Sequence, residues 1–197
     1  MMKVSEMEAF CYTHNMNEVT FITGNRNKAD YLAKCLDIPI KHQKVELDEL
    51  QSLDIRMIVD HKVRQAYEVL KSPVLVEDVS LEFSALGRFP GTFIKFLIDE
   101  VPFETICRML DGLSREAVAR CVFGYYDGKE VVLFEGKLNG LISNEPAGVN
   151  GFGWDKIFIP EGYSVTRAEL SEEDDMKTYS TIKPFAQLKV FFSSKKF

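Results

Sequence analysis

The sequence predicts an α/β protein with a mixed sheet, parallel in its first part and antiparallel in its second. Three observations lead there. Apolar β-type runs alternate with helical patterns between residues 18 and 76, which implies parallel strands joined by right-handed crossovers. Farther on, two long apolar runs flank Asp127-Gly128-Lys129, a strong hairpin signal. The chain has 197 residues, 46% of them hydrophobic, enough to bury the core of one domain.

In chain order, "EVTFIT" (Glu18–Thr23) reads as the first strand. The turn "GNRN" follows, and from Asn27 onward Leu32, Ala33 and Leu36 fall at helical spacing. A second strand is expected around Ile40–Glu46, then an acidic loop, an amphipathic helix at Leu53–Leu70 and an apolar strand at Val74–Val76. After "GRFPGTF" come helical stretches at Phe93–Glu100 and Phe103–Leu110. The hairpin strands span 117–126 and 130–138, an acidic segment occupies 169–175, and Pro184 opens a terminal helix, where proline suits the first turn. The sequence contains no internal repeat and no low-complexity tract.

A net charge of −6 argues against a broad basic face for DNA or RNA, so an anionic ligand must be met by local lysines. Cys11, Cys35, Cys107 and Cys121 are widely spaced with no C-x-x-C pair, the pattern of reduced thiols in a cytoplasmic protein rather than of a zinc site. No run of 18 apolar residues exists to suggest a membrane span. Residues 1–17 lack the apolar core of a secretory signal and read as a loose or short helical extension to a two-lobed domain over 18–197.

Three stretches can carry chemistry. "TGNRNK" (Thr23–Lys28) lies between a strand and a helix. Gly24 permits a sharp turn, Asn25 can bond main-chain groups, and Lys28 sits in a first helical turn whose free N–H groups favour anions. This is either a phosphate cradle or ordinary strand-to-helix punctuation, and its spacing is not that of a P-loop. In "PVLVEDVSLEF" (73–83), Glu77 and Asp78 leave a buried run side by side. Strand alternation points them to opposite faces, so one is central and the other supporting. Two like charges about 4 Å apart at an effective dielectric of about 20 repel by roughly 4 kcal/mol, so close packing of carboxylates calls for a cation. Mg²⁺, which takes one or two carboxylates plus phosphate oxygens, suits them, with Glu49 a possible third ligand; alternatively both acids cap a turn or face solvent. "GFGWDKIFIPEG" (151–162) offers two glycines and the flat faces of Phe152 and Trp154, either for a base or for packing one lobe on the other. Lys62, Lys95, Lys177 and Lys183 are the remaining cations of interest.

Assembled, "TGNRNK" (23–28), "VEDVSLEFSALGRFPGTFIKF" (76–96) and "GFGWDKIFIPEGY" (151–163) resemble the inosine triphosphate pyrophosphatase family in order and spacing, and the resemblance runs from Glu18 to Phe192. It implies a two-lobed α/β fold with a mixed sheet and a nucleotide cleft between the lobes, a homodimer, and Mg²⁺-dependent hydrolysis of noncanonical purine nucleoside triphosphates (ITP, dITP, XTP) to monophosphate and pyrophosphate. Asp78 matches the family's catalytic carboxylate, with Glu77 in support, and Glu49 matches a metal-binding glutamate beside Asp78. The segment Thr23, Gly24, Asn25 and Lys28, together with Lys62, Ser80, Lys95 and Lys177, falls on substrate-contacting positions. Phe152, Gly153, Trp154 and Asp155 fall on the base-binding segment.

Departures concern the base. After the matching lysine the family continues with S-H-R, which contacts the purine; here Thr181-Ile182-Lys183 stands in its place. Lys183 keeps a charge without arginine's planar fork, so weaker base discrimination is expected. Val79 replaces the usual Thr or Ser after E-D, and Arg88 stands where a glycine or other small residue is common. Two alternatives remain: the same chemistry with a different base preference, towards modified or pyrimidine nucleotides as in the Maf-like group, or a nucleotide-binding protein without turnover.

Overall fold

The computed structural model describes residues 19–195, and the expected extension over 1–17, with Cys11, lies outside them. The order is β1 (Val19–Ile22), α1 (Arg26–Leu36), β2 (Ile40–Gln43), α2 (Ile55–Leu70), β3 (Val74–Phe83), β4 (Pro90–Gly91), α3 (Ile94–Glu100), α4 (Phe103–Arg108), β5 (Glu116–Tyr126), β6 (Val131–Ile142), β7 (Phe158–Pro160), α5 (Glu172–Ile182) and α6 (Phe185–Ser194). One seven-stranded mixed sheet, ordered β2-β1-β3-β5-β6-β7 with β4 paired to β3, runs through both halves of the chain. β1 pairs in parallel with β2 and β3, as the strand-helix alternation predicts, while β3-β5, β5-β6 and β6-β7 are antiparallel.

The strand at Val74–Val76 is longer than its apolar run. It continues through the acidic pair to Phe83 because β5 matches it residue for residue from Val74↔Tyr126 to Phe83↔Ala117. β2 stops at Gln43; it is the sheet edge, and its last three residues are exposed. The acidic 169–175 segment leads into a helix that the sequence reading did not assign. Ser171 caps α5 by accepting the Asp174 N–H at 3.2 Å, and Glu172–Asp175 fill a first turn whose dipole favours negative charge. At the hairpin, Gly128 has φ +91°, and an added Cβ would come within 2.2 Å of the Tyr67 hydroxyl, so the position demands glycine.

Side chains on the two faces of the sheet form separate cores. Phe21, Leu75, Leu81 and Phe123 pack with Leu32 and Leu36 of α1 and Leu188 and Phe192 of α6. On the other face Ile22, Val74, Val76 and Val122 pack with Ile55, Val59, Val63 and Ala66 of α2. This two-faced packing decides where each acid of the pair goes.

Candidate active site

β3 lies mid-sheet between β1 and β5. Its period-two alternation sends Asp78 to the α2 face and Glu77 to the α1/α6 face, as strand geometry requires. On the α2 face Lys62 donates to Asp78 Oδ2 at 2.6 Å, and the Val79 N–H donates to Oδ1 at 2.8 Å. Lys62 stands one helical turn beyond Ile58, and both line a cavity of about 250 Å³ with Glu49, Asp78, Lys95 and Trp154. Five stretches distant in sequence therefore meet here.

Glu49 sits in a loop without regular structure, yet that loop is tied down. Gln65 of α2 donates to Asp48 Oδ2 at 2.7 Å and accepts the Asp48 N–H at 3.0 Å, and the Thr92 hydroxyl donates to the Ser52 carbonyl. Lys95 is exposed at the start of α3. Glu49 and Asp78 in one cavity give two oxygen ligands, which suits a hard cation that completes its shell with water and phosphate oxygens. Among the described residues no cluster of three or more His, Cys, Asp or Glu is poised to hold a metal.

Glu77 has a different environment. Its carboxylate accepts from Lys183 Nζ and lies 3.7 Å from Lys28 Nζ, and the Glu77 and Lys183 side chains are 8% and 7% exposed. Burial works against its charge, but Lys183 and then Lys28 outweigh burial and hold Glu77 below the usual carboxylate range. Burial likewise opposes the Lys183 charge, and Glu77, Cys121 and Tyr179 together raise its pKa above the ordinary lysine value. Cys121, 3.5 Å from Lys183, is pushed up by its own burial and stays a neutral thiol.

These positions correct part of the expected site. Lys183 reaches Glu77 rather than a base, because the extended residue between α5 and α6 turns inward over the sheet. Glu77 is opposite Asp78 and saturated by two lysines, so it does not join Asp78 in a shared ligand set. Lys177 and Thr181 lie on the outer side of α5: Lys177 is 60% exposed and paired with Glu173 and Asp174 at 3.0 and 3.2 Å, and Thr181 donates back to the Lys177 carbonyl at 3.0 Å. They line an open surface groove that shares no residue with the Asp78 cavity. Ser80 is fully buried, its hydroxyl unpartnered among the described residues. Gly24 is outside the left-handed region, and an added Cβ there would meet only Lys44 at 4.0 Å, so the turn itself does not need glycine. Asn25 acts as expected on main-chain groups, accepting the Lys28 N–H at 3.4 Å as the cap of α1, while the Thr23 hydroxyl accepts the Asn25 N–H at 3.1 Å.

Phe152, Gly153, Trp154 and Asp155 form one short 3-10 turn and its cap. Gly151 and Gly153 have φ of +72° and +59°, and a Cβ on Gly151 would sit 2.4 Å from the Asp155 carboxylate. Trp154 faces the Asp78 cavity, whereas Phe152 and Asp155 line a second cavity of about 200 Å³ with Tyr31, Arg167, Asp175 and Tyr179. The Trp154 indole N–H is buried and unpartnered among the described residues. Arg167 is buried, donating from Nη1 to Asp155 at 2.8 Å, from Nη2 to Asp175 at 2.5 Å and from Nε to the Thr178 hydroxyl at 3.0 Å. Burial lifts the Asp155 carboxyl above its ordinary value, partly offset by Arg167 and the Phe152 N–H. Sequence reasoning missed Arg167, Asp175, Tyr31 and Tyr179; no local motif marks them, since only the packing of α1, α5 and the short 3-10 turn at Arg167–Glu169 brings them to Asp155.

The sequence profile of the Ham1 family matches residues 19–191. Among curated relatives, inosine triphosphate pyrophosphatase 2 of Trypanosoma cruzi is 38% identical over 181 residues, spanning 89% of this chain and 92% of the relative. The inosine triphosphate pyrophosphatase of Batrachochytrium dendrobatidis is 39% identical over 186 residues, spanning 91% and 96%. Among solved structures, a HAM1 protein from Coxiella burnetii superposes with a TM-score of 0.78 at 23% identity, covering 90% of this chain and 99% of that one. A nucleoside-triphosphatase, described as a dITP/XTP pyrophosphatase, from Mycobacterium abscessus gives 0.75 at 22%, covering 87% and 98%. The last two show the fold.

Proposed function

Because the chain belongs to the Ham1 family, we propose that it hydrolyses noncanonical purine nucleoside triphosphates (ITP, dITP, XTP) to the monophosphate and pyrophosphate. The observation that carries this reading is the joining of Asp78, Lys62, Glu49 and Lys95 around one cavity, two carboxylates facing two ammonium groups. The names of the curated relatives support the substrate class.

In this reading a water attacks the α-phosphorus and pyrophosphate leaves. Asp78 orients the water and takes its proton, with the Val79 N–H holding one carboxylate oxygen in place. Lys62 and Lys95 meet phosphate oxygens, where their charge counters the negative charge that develops during transfer. Glu49 and Asp78 would hold Mg²⁺ against the phosphates, supplying charge neutralisation there. Lys28, anchored by Glu77, adds a cation at the head of α1. Trp154 and Phe152 offer faces to the base from one turn, one towards each cavity.

A homodimer and a cytoplasmic setting belong to the same proposal, the first carried by the family resemblance and the second by the free thiols of Cys35, Cys107 and Cys121. Among the described residues no helix is long and apolar enough to cross a membrane.

Asp78→Asn tests the assignment. It keeps the shape and removes the base, so turnover of ITP should fall by about three orders of magnitude, within the usual range for loss of a general base, while nucleotide affinity stays within a few-fold. Near-normal turnover in that variant would remove Asp78 from this role.

A further inference from the structure

The cavity lined by Tyr31, Phe152, Asp155, Arg167, Asp175 and Tyr179 holds a donor and an acceptor side by side, and neither is used up by the protein. A guanidinium has five N–H groups. Arg167 spends three on Asp155, Asp175 and Thr178, which leaves one on each terminal nitrogen. Asp175 accepts from Arg167 through Oδ1, and its Oδ2 has no partner among the described residues, on a side chain 39% exposed. Asp155, by contrast, is filled: Oδ1 takes Arg167 and Oδ2 takes the Phe152 N–H at 3.0 Å. Tyr31 and Tyr179, edge to face at 5.5 Å, supply aromatic walls.

We propose that Arg167 and Asp175 determine base specificity by reading the –NH–C(=O)– edge of a 6-oxopurine, Asp175 Oδ2 accepting the ring N–H and Arg167 donating to the oxo group. This rests on the pyrophosphatase reading and extends it. Adenine presents the reverse order, an acceptor at the ring nitrogen and a donor at the exocyclic amine. The glycosidic bond fixes the order in which that edge meets the pair, so adenine would set acceptor against carboxylate and donor against guanidinium. A site built to hydrogen-bond a group strongly rejects an analogue that leaves it unpaired. Guanine shares the lactam edge, and its 2-amino group adds another donor on the carboxylate side. The pair therefore separates oxo from amino purines while discriminating little between hypoxanthine and guanine. The basic residue expected at the base, Lys183, is turned to Glu77 instead.

The test compares ITP, GTP and ATP by calorimetric binding and by kcat/KM for pyrophosphate release, in the wild type, Asp175→Asn and Arg167→Lys. In the wild type ITP and GTP should agree within about tenfold and both exceed ATP by at least a hundredfold, consistent with specificity from unpaired polar groups. Asp175→Asn, whose amide can present a donor to the adenine ring nitrogen, should raise the ATP-to-ITP ratio at least tenfold. Arg167→Lys keeps the charge beside Asp155 but loses the fork, and should weaken ITP more than ATP. Equal wild-type binding of ITP and ATP, or an unchanged ratio in folded variants, overturns the proposal. Wild-type binding reads base preference whether or not pyrophosphate is released, so loss of the turnover reading alone is distinguishable.

Discussion

Glu77 and Lys183 form a pair whose members are each too buried to stand alone. Removing one partner of a buried ion pair leaves an uncompensated charge and typically costs about 3–5 kcal/mol. Lys183→Met should therefore lower unfolding free energy by about that much, and Glu77→Gln/Lys183→Met should lose clearly less, as read by urea denaturation. The pH dependence follows from the directions of the shifts. Glu77 is held below its ordinary 4.5, so its stabilising share is present above that value and fades as pH falls through the folded one. Lys183 is raised above 10.5, so its share is present below that value and is lost only in stronger alkali. The gap between wild type and Glu77→Gln should therefore be full at pH 7 and shrink in acid below 4.5. At Arg88, where the family tends to have a small residue, the backbone adopts φ +79°, a conformation that glycine takes without steric cost.

Among the elements, α2 does the most positioning. It buries Ile55, Val59 and Val63 against the sheet and presents Lys62 to Asp78. Its start is fixed by Asp54, which accepts the Arg56 and Met57 N–H groups at 3.0 and 3.3 Å. Loss of such a cap costs about 1 kcal/mol. Asp54→Ala should destabilise the protein by that amount and leave the acids untouched, so a fall in kcat/KM larger than the fall in folded fraction would report a displaced Lys62. Strand β3 shows why the sequence pattern locates Asp78 well. Alternation and the E-D step are local, and they give opposite faces to the two acids without any knowledge of neighbours. The fate of Lys183 is not local: it depends on how the α5–α6 junction crosses the sheet, and an ungapped spacing from Lys177 carries no such information.

Across the whole molecule, the parallel β-α-β opening and the antiparallel hairpin were both legible, since hydrophobic period and turn chemistry specify them directly. Less legible were the true lengths of β2 and β3, set by the sheet edge and by β5, and helix α5, whose Ser171 cap and acidic first turn are visible signals that the reading took only as an acidic segment. Motif and resemblance together name Asp78, Lys62, Glu49 and Lys95, and the fold lines one cavity with all four. Arg167 and Asp175 carry no local signal, because they meet only through tertiary packing. Proposed turnover requires water to attack the α-phosphorus. Hydrolysis of ITP in ¹⁸O-labelled water with Mg²⁺, analysed by mass spectrometry, tests it most directly: one labelled oxygen should appear in IMP and none in pyrophosphate, whereas label in pyrophosphate, or release of IDP with inorganic phosphate, would contradict it.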